Sequence, residues 1–89
     1  MARRTITIIN KLGLHARAAA RFVQVAASFE SDIIVKHGSK EVNGKSIMGV
    51  MMLAAGKGAS IEIIASGRDE IKALDKLEEL IMDRFGESE

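Results

Sequence analysis

The spacing of apolar and polar residues along the chain predicts its first strand and helix. Residues 5–9 (Thr-Ile-Thr-Ile-Ile) alternate with the period of two that is typical of a strand with one buried face. From Ala16 to Phe29 the apolar positions instead recur every three or four residues, which predicts an amphipathic helix packed on a core. Its apolar stripe comprises Ala18, Phe22, Val25 and Phe29, with Ala19, Val23 and Ala26 beside it.

The middle of the chain contains signals for a hairpin and a short helix. Residues 33–36 and 41–43 flank Gly38-Ser39, and a two-residue Gly-X loop between strands favours a type II′ turn. Residues 47–53 are apolar almost throughout, and so short a run predicts a brief helix. Ser46 occupies the position expected of its N-cap.

The last third predicts one more strand and one more helix. Residues 60–65 alternate, and Ser66–Asp69 matches a variant capping box. Apolar residues then recur at helical spacing, so we expect a helix ending near Phe85 and a frayed tail at 86–89. These apolar positions are Ile71, Leu74, Leu77, Ile81 and Phe85.

The element order β-α-β-β-α-β-α predicts one α+β domain over residues 1–89. We expect a two-layer, open-faced β-sandwich in which three helices cover one face of a four-stranded antiparallel sheet. Ile34 and Ile64 do not fit the buried positions of this arrangement, and we expect them to be exposed or at the sheet edge.

Composition narrows the possible function classes. The chain of 89 residues has no cysteine, which excludes a disulfide framework, a thiolate metal site and a cysteine nucleophile. With two histidines and no clustered acids in the motifs, we expect no metal and no cofactor. No apolar run approaches the roughly 18 residues that span a bilayer, and no secretory signal opens the sequence. We therefore expect a cytoplasmic protein without membrane contact.

Charge is distributed unevenly along the chain. Residues 1–57 carry nine Lys/Arg and three Asp/Glu, whereas residues 58–89 carry four Lys/Arg and nine Asp/Glu. A basic half suggests an acidic or phosphate-bearing partner. Alternatively, the charged residues of the two halves are only solvent-exposed on different faces of the domain. A small nucleic-acid-binding domain is a further alternative. The absence of Trp and Tyr argues against base stacking, and we expect no nucleic acid partner.

The segment Gly13-Leu14-His15-Ala16-Arg17 predicts an anion-binding site. His15 lies between a glycine-containing loop and the first turn of a helix, where main-chain N–H groups are unpaired and the helix dipole is positive. That environment, with Arg17, disfavours a charged ring and leaves a neutral imidazole able to act as a nucleophile. A phosphoryl group on the ring would be bound by the Arg17 guanidinium and by nearby amides. Alternatively, His15 only precedes and caps the helix.

The chain resembles the HPr family, the histidine-containing phosphocarriers of the bacterial phosphoenolpyruvate-dependent phosphotransferase system. The resemblance rests on residues 13–17 and on the segment 43–51 (Asn-Gly-Lys-Ser-Ile-Met-Gly-Val-Met), and it extends over nearly the whole chain. It implies that Nδ1 of His15 takes a phosphoryl group from phosphorylated enzyme I and passes it to a IIA domain, and that Arg17 assists. The protein would then be a stoichiometric carrier in sugar transport and not an independent enzyme.

One position departs from the family pattern. The family usually has proline where this chain has Ala18, which permits the same helix but makes its start less rigid. We expect the chemistry to survive, with the main-chain N–H groups of Ala16, Arg17 and Ala18 binding the phosphoryl oxygens. The difference leaves open a regulatory, nitrogen-type relative that acts on sensors instead of sugar permeases.

Ser46 is a second candidate site. The resemblance implies that it is a regulatory serine, the target of an HPr kinase/phosphorylase. A phosphate at an N-cap is compatible with the helix dipole, and it adds about −2 charge. We expect that charge to repel an acidic partner and to slow transfer to His15. The alternative is a plain N-cap serine.

A Met-rich apolar cluster predicts a surface for partner docking. Methionine surfaces repack and so tolerate several partners. We expect half of the cluster 47, 48, 51 and 52 to lie outside the core, together with Leu14 and Phe22 or their neighbours. The predicted docking residues are Leu14, Arg21, Lys45, Ile47, Met48 and Met51. We expect the protein itself to be a monomer.

Overall fold

The structure, a computed structural model, describes all 89 residues and contains four strands and three α-helices. The strands are β1 (Ala2–Thr7), β2 (Asp32–His37), β3 (Lys40–Asn43) and β4 (Ser60–Ser66). The helices are α1 (Ala16–Ala27), α2 (Ile47–Met52) and α3 (Glu70–Met82), followed by a 3₁₀ turn at Arg84–Gly86. The element order is the predicted one, and the fold class is confirmed.

All three strand pairings of the sheet are antiparallel, and the strand order is β1-β4-β2-β3. Alternate residues of the central strand β4 are buried under the helices, namely Ile61, Ile63 and Ala65. Ile34 and Ile64 lie opposite each other on the uncovered face. Both are half-buried and belong to central strands, so the expectation of an edge position was wrong.

The β2–β3 hairpin has the predicted two-residue loop. His37 pairs with Lys40, which leaves Gly38 and Ser39 as the turn residues. Gly38 has a φ of +60°, whereas Ser39 is not among the residues with positive φ. This combination fits a type II′ turn and does not fit type I′, which requires a positive φ at both positions.

Several element boundaries differ from those predicted. Strand β1 begins three residues early, because residues 2–4 pair with residues 63–65 of β4. The strand also ends at Thr7, although Ile8 remains fully buried. At the start of α3 the N-cap is Asp69, and Ser66 is the last residue of β4. Ser66 therefore plays no part in a capping box.

The end of α3 also differs from the prediction. The helix stops at Met82, and Phe85 is buried from within the 3₁₀ turn with a φ of +55°. Ile71, expected in the apolar stripe, is 55% exposed. Residues 86–89 were expected to be frayed, but the main-chain oxygen of Glu89 accepts a 2.7 Å hydrogen bond from Lys11 N–H. The last residues thus lie against the loop that precedes α1.

Candidate functional site

The loop before α1 is held in place by the segment that follows α2. The N–H of Leu14 donates to the carbonyl of Ala55 at 2.9 Å. Gly13 has a φ of +66°, and a Cβ at this position would lie 2.5 Å from the oxygen of Ala55 and 2.7 Å from Cα of Gly56. Glycine, which has no Cβ, therefore accommodates both this backbone conformation and the close contact with Ala55 and Gly56. These contacts fix the point from which His15 projects.

His15 is the N-cap residue of α1, yet its ring makes no capping hydrogen bond. Its carbonyl accepts from the N–H of Ala19 at 2.8 Å and so begins the helix. The N–H groups of Ala16, Arg17 and Ala18 have no hydrogen-bond partner, as is general for the first turn of a helix. Three unpaired donors and the positive end of the helix dipole thus directly follow His15 in the chain.

The two ring nitrogens of His15 have different surroundings. Nε2 contacts Oε2 of Glu87, whereas Nδ1 has no hydrogen-bond partner. The His15 side chain is 28% exposed. Because Nε2 contacts Glu87 and Nδ1 has no partner, the lone pair of Nδ1 is available to attack an electrophile.

Glu87 is itself held by a buried asparagine. Asn10 Nδ2 donates to Oε1 of Glu87 at 3.0 Å and to the carbonyl of Gly13 at 2.9 Å. Burial would by itself raise the pKa of Glu87. The hydrogen bonds from Asn10 and His15, with the positive charge of Arg21, outweigh burial and lower that pKa below its ordinary value. The carboxylate is therefore ionised at neutral pH.

A cleft of about 500 Å³ opens beside the ring. Arg17 lines it, is exposed, and takes part in none of the ion pairs of the chain. The guanidinium is therefore available to an incoming anion. The cleft is lined by Lys11, Leu12, His15, Ala16, Arg17, Glu87, Ser88 and Glu89.

The predicted docking residues separate into exposed and buried groups. Ile47, Met48 and Met51 of α2 are 44%, 73% and 40% exposed, and Met52 is 65% exposed. Leu14 is only 5% exposed and Phe22 is fully buried, so both were wrongly predicted to be surface residues. The turn at Gly13 directs Leu14 into the core, and Phe22 lies on the buried stripe of α1.

The two predicted basic docking residues make internal contacts. Lys45 Nζ donates to the carbonyl of Phe29 at 2.8 Å, and the Arg21 guanidinium donates to the carbonyl of Phe85. Both side chains are half-buried. Their contribution to a basic surface is therefore smaller than the sequence indicated.

Ser46 is the N-cap of α2, as predicted. Its Oγ accepts a hydrogen bond from the N–H of Gly49 at 3.0 Å. The other end of α2 leads into Ala55, which contacts the loop before His15. A six-residue helix is about 9 Å long. Ser46 therefore lies about one helix length from that loop, with the exposed methionines between.

Several residues at the site were missed from the sequence, among them Leu12, Asn10 and Glu87. Leu12 is 66% exposed at the cleft, whereas Asn10 and Glu87 form the hydrogen-bonded support of the ring. The available signal for Asn10 was a polar residue directly after an apolar strand. Nothing in the local pattern around Glu87 pointed to His15, because 72 positions separate them.

No helix in the structure combines the length and apolarity needed to cross a membrane.

Comparison with known proteins gives a family match over most of the chain. Residues 2–83 match the family described as the PTS HPr component phosphorylation site. The chain is 53% identical over 89 residues to a phosphocarrier protein HPr of Neisseria meningitidis serogroup A, covering 100% of both sequences.

Solved structures agree with this match. An HPr-C-His crystal structure from Thermoanaerobacter tengcongensis is similar with a TM-score of 0.95, at 48% identity and with 100% of both chains covered. A crystal structure from the same organism, described as an HPr dimer, is similar with a TM-score of 0.78 at 49% identity. It covers 98% of this chain and 100% of that one.

Proposed function

Because the chain belongs to the HPr family of the phosphotransferase system, we propose that it carries a phosphoryl group on Nδ1 of His15. The donor is phosphorylated enzyme I, and the acceptors are IIA domains of the phosphoenolpyruvate-dependent sugar phosphotransferase system. The protein acts as a stoichiometric carrier in the cytoplasm and not as an independent enzyme.

One observation carries this proposal: Nδ1 has no partner, and it belongs to a residue followed by three unpaired main-chain N–H groups. The lone pair of Nδ1 forms the new N–P bond while the bond from phosphorus to the donor breaks, and the electron pair of that bond leaves with the donor. The amides of residues 16–18 and the Arg17 guanidinium then bind the phosphoryl oxygens. Reversal of the same step delivers the group to an acceptor.

The direct test is incubation with enzyme I and phosphoenolpyruvate. We expect acid-labile phosphate on the wild-type chain, a ³¹P NMR signal of a ring-nitrogen phosphate, and loss of both in His15→Ala. His37→Ala is the matched control, because His37 lies outside the cleft and its Nδ1 hydrogen-bonds the carbonyl of Leu53. Phosphate that persists in His15→Ala would end the proposal.

The exposed side chains of α2 support the docking part of the proposal. Partners bind the surface formed by Ile47, Met48, Met51 and Met52, which we call the methionine surface. Its end at residues 53–55 leads directly to the loop that positions His15, so one partner can cover both. A phosphate on Ser46, placed there by an HPr kinase/phosphorylase, adds negative charge at the far end of this surface.

The monomeric state remains a prediction, since the similar structures include ones described as dimers. Sedimentation of the purified chain measures it directly.

A second candidate keeps the same phosphorylated residue but changes the acceptor. Ala18 stands at the third position of α1, where the family usually has proline, and it favours a regulatory relative that acts on sensors. Retention of a purified IIA domain on the phosphorylated chain supports the transport role. Retention of a sensor protein, without IIA binding, supports the regulatory one.

A further inference from the structure

The carboxylate of Glu87 is fixed at both of its oxygens. Oε2 contacts Nε2 of His15, and Oε1 accepts from Asn10 Nδ2 at 3.0 Å. Asn10 is fully buried, and its second Nδ2 hydrogen bond reaches the carbonyl of Gly13 at 2.9 Å. Rotation of the carboxylate would therefore break a buried hydrogen-bond network.

The segment that bears Glu87 is anchored on both sides of it. The N–H of Glu87 donates to the carbonyl of Arg84 at 2.9 Å, and the carbonyl of Glu89 accepts from Lys11 at 2.7 Å. The preceding Phe85 is fully buried. The Glu87 side chain itself is only 16% exposed. The carboxylate is thus part of the folded site and is not a charge on a loose end.

We propose that Glu87 is a positioning residue for His15, holding the proton of the neutral ring on Nε2 and so keeping the lone pair on Nδ1. A neutral imidazole carries one proton, and a neighbouring carboxylate determines which nitrogen bears it. The inference rests on the function proposed above, in which Nδ1 is the phosphorylated atom.

The same contact stabilises the phosphorylated state. When Nδ1 forms its bond to phosphorus, the bond from phosphorus to the donor breaks and its electron pair leaves with the donor. The ring of His15 keeps its Nε2 proton and becomes positively charged. The ionised Glu87 carboxylate contacts Nε2 and so stabilises the positive charge of the phosphorylated ring.

The test compares Glu87→Gln with Glu79→Gln. Glu79 lies on α3 outside the cleft and pairs with Lys76 at 3.7 Å, so its variant controls for loss of one negative charge. The first measurement is ¹⁵N-edited NMR of the unphosphorylated ring. We expect the Nε2 proton to exchange with water about tenfold faster in Glu87→Gln than in wild type or in the control, because a charge-assisted hydrogen bond is lost.

The second measurement is the equilibrium distribution of the phosphoryl group between enzyme I and the chain. We expect Glu87→Gln to shift this distribution about tenfold away from His15, with no shift in Glu79→Gln. Unchanged proton exchange in Glu87→Gln would overturn the positioning role even where His15 is phosphorylated normally. Faster phosphorylation of Glu87→Gln would also overturn it, because the carboxylate would then be an obstacle to the donor.

Failure of this inference can be told apart from failure of the proposed function. The exchange measurement needs no phosphoryl donor and reports only on the contact between Glu87 and the ring. The His15→Ala experiment reports only on which residue is phosphorylated. Melting curves of both glutamine variants verify that each is folded before either result is interpreted.

Discussion

The carboxylate of Asp69 accepts hydrogen bonds from the main-chain N–H of Ser31, at 3.0 Å, and from its hydroxyl, although 38 positions separate the two residues. It also accepts from the N–H of Glu30 at 2.9 Å. Ser31 is 1% exposed, so its polar groups depend on Asp69. This contact joins the start of β2 to the start of α3.

The Asp69 contact predicts a stability that depends on pH. The hydrogen bond from the Ser31 hydroxyl, followed by that from the Glu30 N–H, lowers the pKa of Asp69 from 3.8 to about 2. The stabilisation of the fold by this ionised carboxylate is therefore complete above the ordinary pKa of 3.8. It is lost as pH falls through the lowered pKa of about 2. Between about pH 5 and about pH 2, the melting temperature of wild type should fall more steeply than that of Asp69→Asn. Asp83→Asn, at an exposed carboxylate without a hydrogen bond, should follow wild type.

Replacement of Gly13 should disturb both stability and transfer. Gly13→Ala adds a Cβ that meets Ala55 and Gly56, on top of a backbone strain of about 1–2 kcal/mol. Gly38→Ala imposes the same kind of φ in open space and isolates the strain alone. Urea denaturation should show a clearly larger loss of unfolding free energy for Gly13→Ala. Phosphorylation should be slowed only in that variant, because only this loop positions His15.

Reversal of the charge at residue 17 should impair transfer without unfolding the protein. In Arg17→Glu the cleft loses the guanidinium and gains a carboxylate that repels phosphoryl oxygens, so the single-turnover rate should fall about tenfold or more. Arg68→Glu makes the same change at an exposed residue outside the cleft and should leave the rate unchanged. Equal rates in the two variants would show that the charge of Arg17 is incidental.

Ser46→Asp should slow phosphorylation by enzyme I and leave the melting temperature nearly unchanged. Aspartate is a good N-cap, so α2 keeps its first turn, while the new charge lies beside the methionine surface. Ser46→Asn provides a cap of similar size without charge and should react as wild type does. Because the effect is electrostatic, it should weaken as salt is raised. A wild-type rate in Ser46→Asp at low salt would refute the repulsion mechanism.

Truncation of Met48 should weaken docking more than chemistry. Met48 is 73% exposed on α2, and a central docking residue contributes about 1 kcal/mol or more, equivalent to about a fivefold rise in KM for enzyme I. Met48→Ala should show that rise with kcat preserved. Met82→Ala removes a 45% exposed methionine from α3 and is the control. A KM that rises equally in both variants would contradict a localised surface.

The helices and strands were predictable from the sequence because buried residues recur along the chain at the spacing typical of each kind of element. Phe22 and Ala26 fall on one side of α1, and Ile61 and Ile63 on one side of β4, so each element carries its own period. Ser46 was predictable as a cap because capping needs only a local hydrogen bond.

The wrong predictions concern side-chain directions and long-range contacts, which the spacing of apolar residues along the chain does not determine. Leu14 was predicted at the surface together with the methionine cluster, but it follows Gly13, whose φ is positive, and is buried in the core. The contact of Glu87 with His15 depends on the chain turning at Phe85, whose φ of +55° the apolar spacing does not reveal. Long-range contacts of this kind are fixed by packing of the whole domain.

Three segments far apart in the sequence hold the ring of His15, those around Asn10, Ala55 and Glu87. A ribosome-bound nascent chain that ends before α3 has the histidine and the helix that follows it, but not the assembled site. The site proposed to accept the phosphoryl group is thus completed only late in synthesis, when the last of the three segments docks. We therefore expect the proposed phosphorylation of the ring to be fully efficient only after the domain has folded.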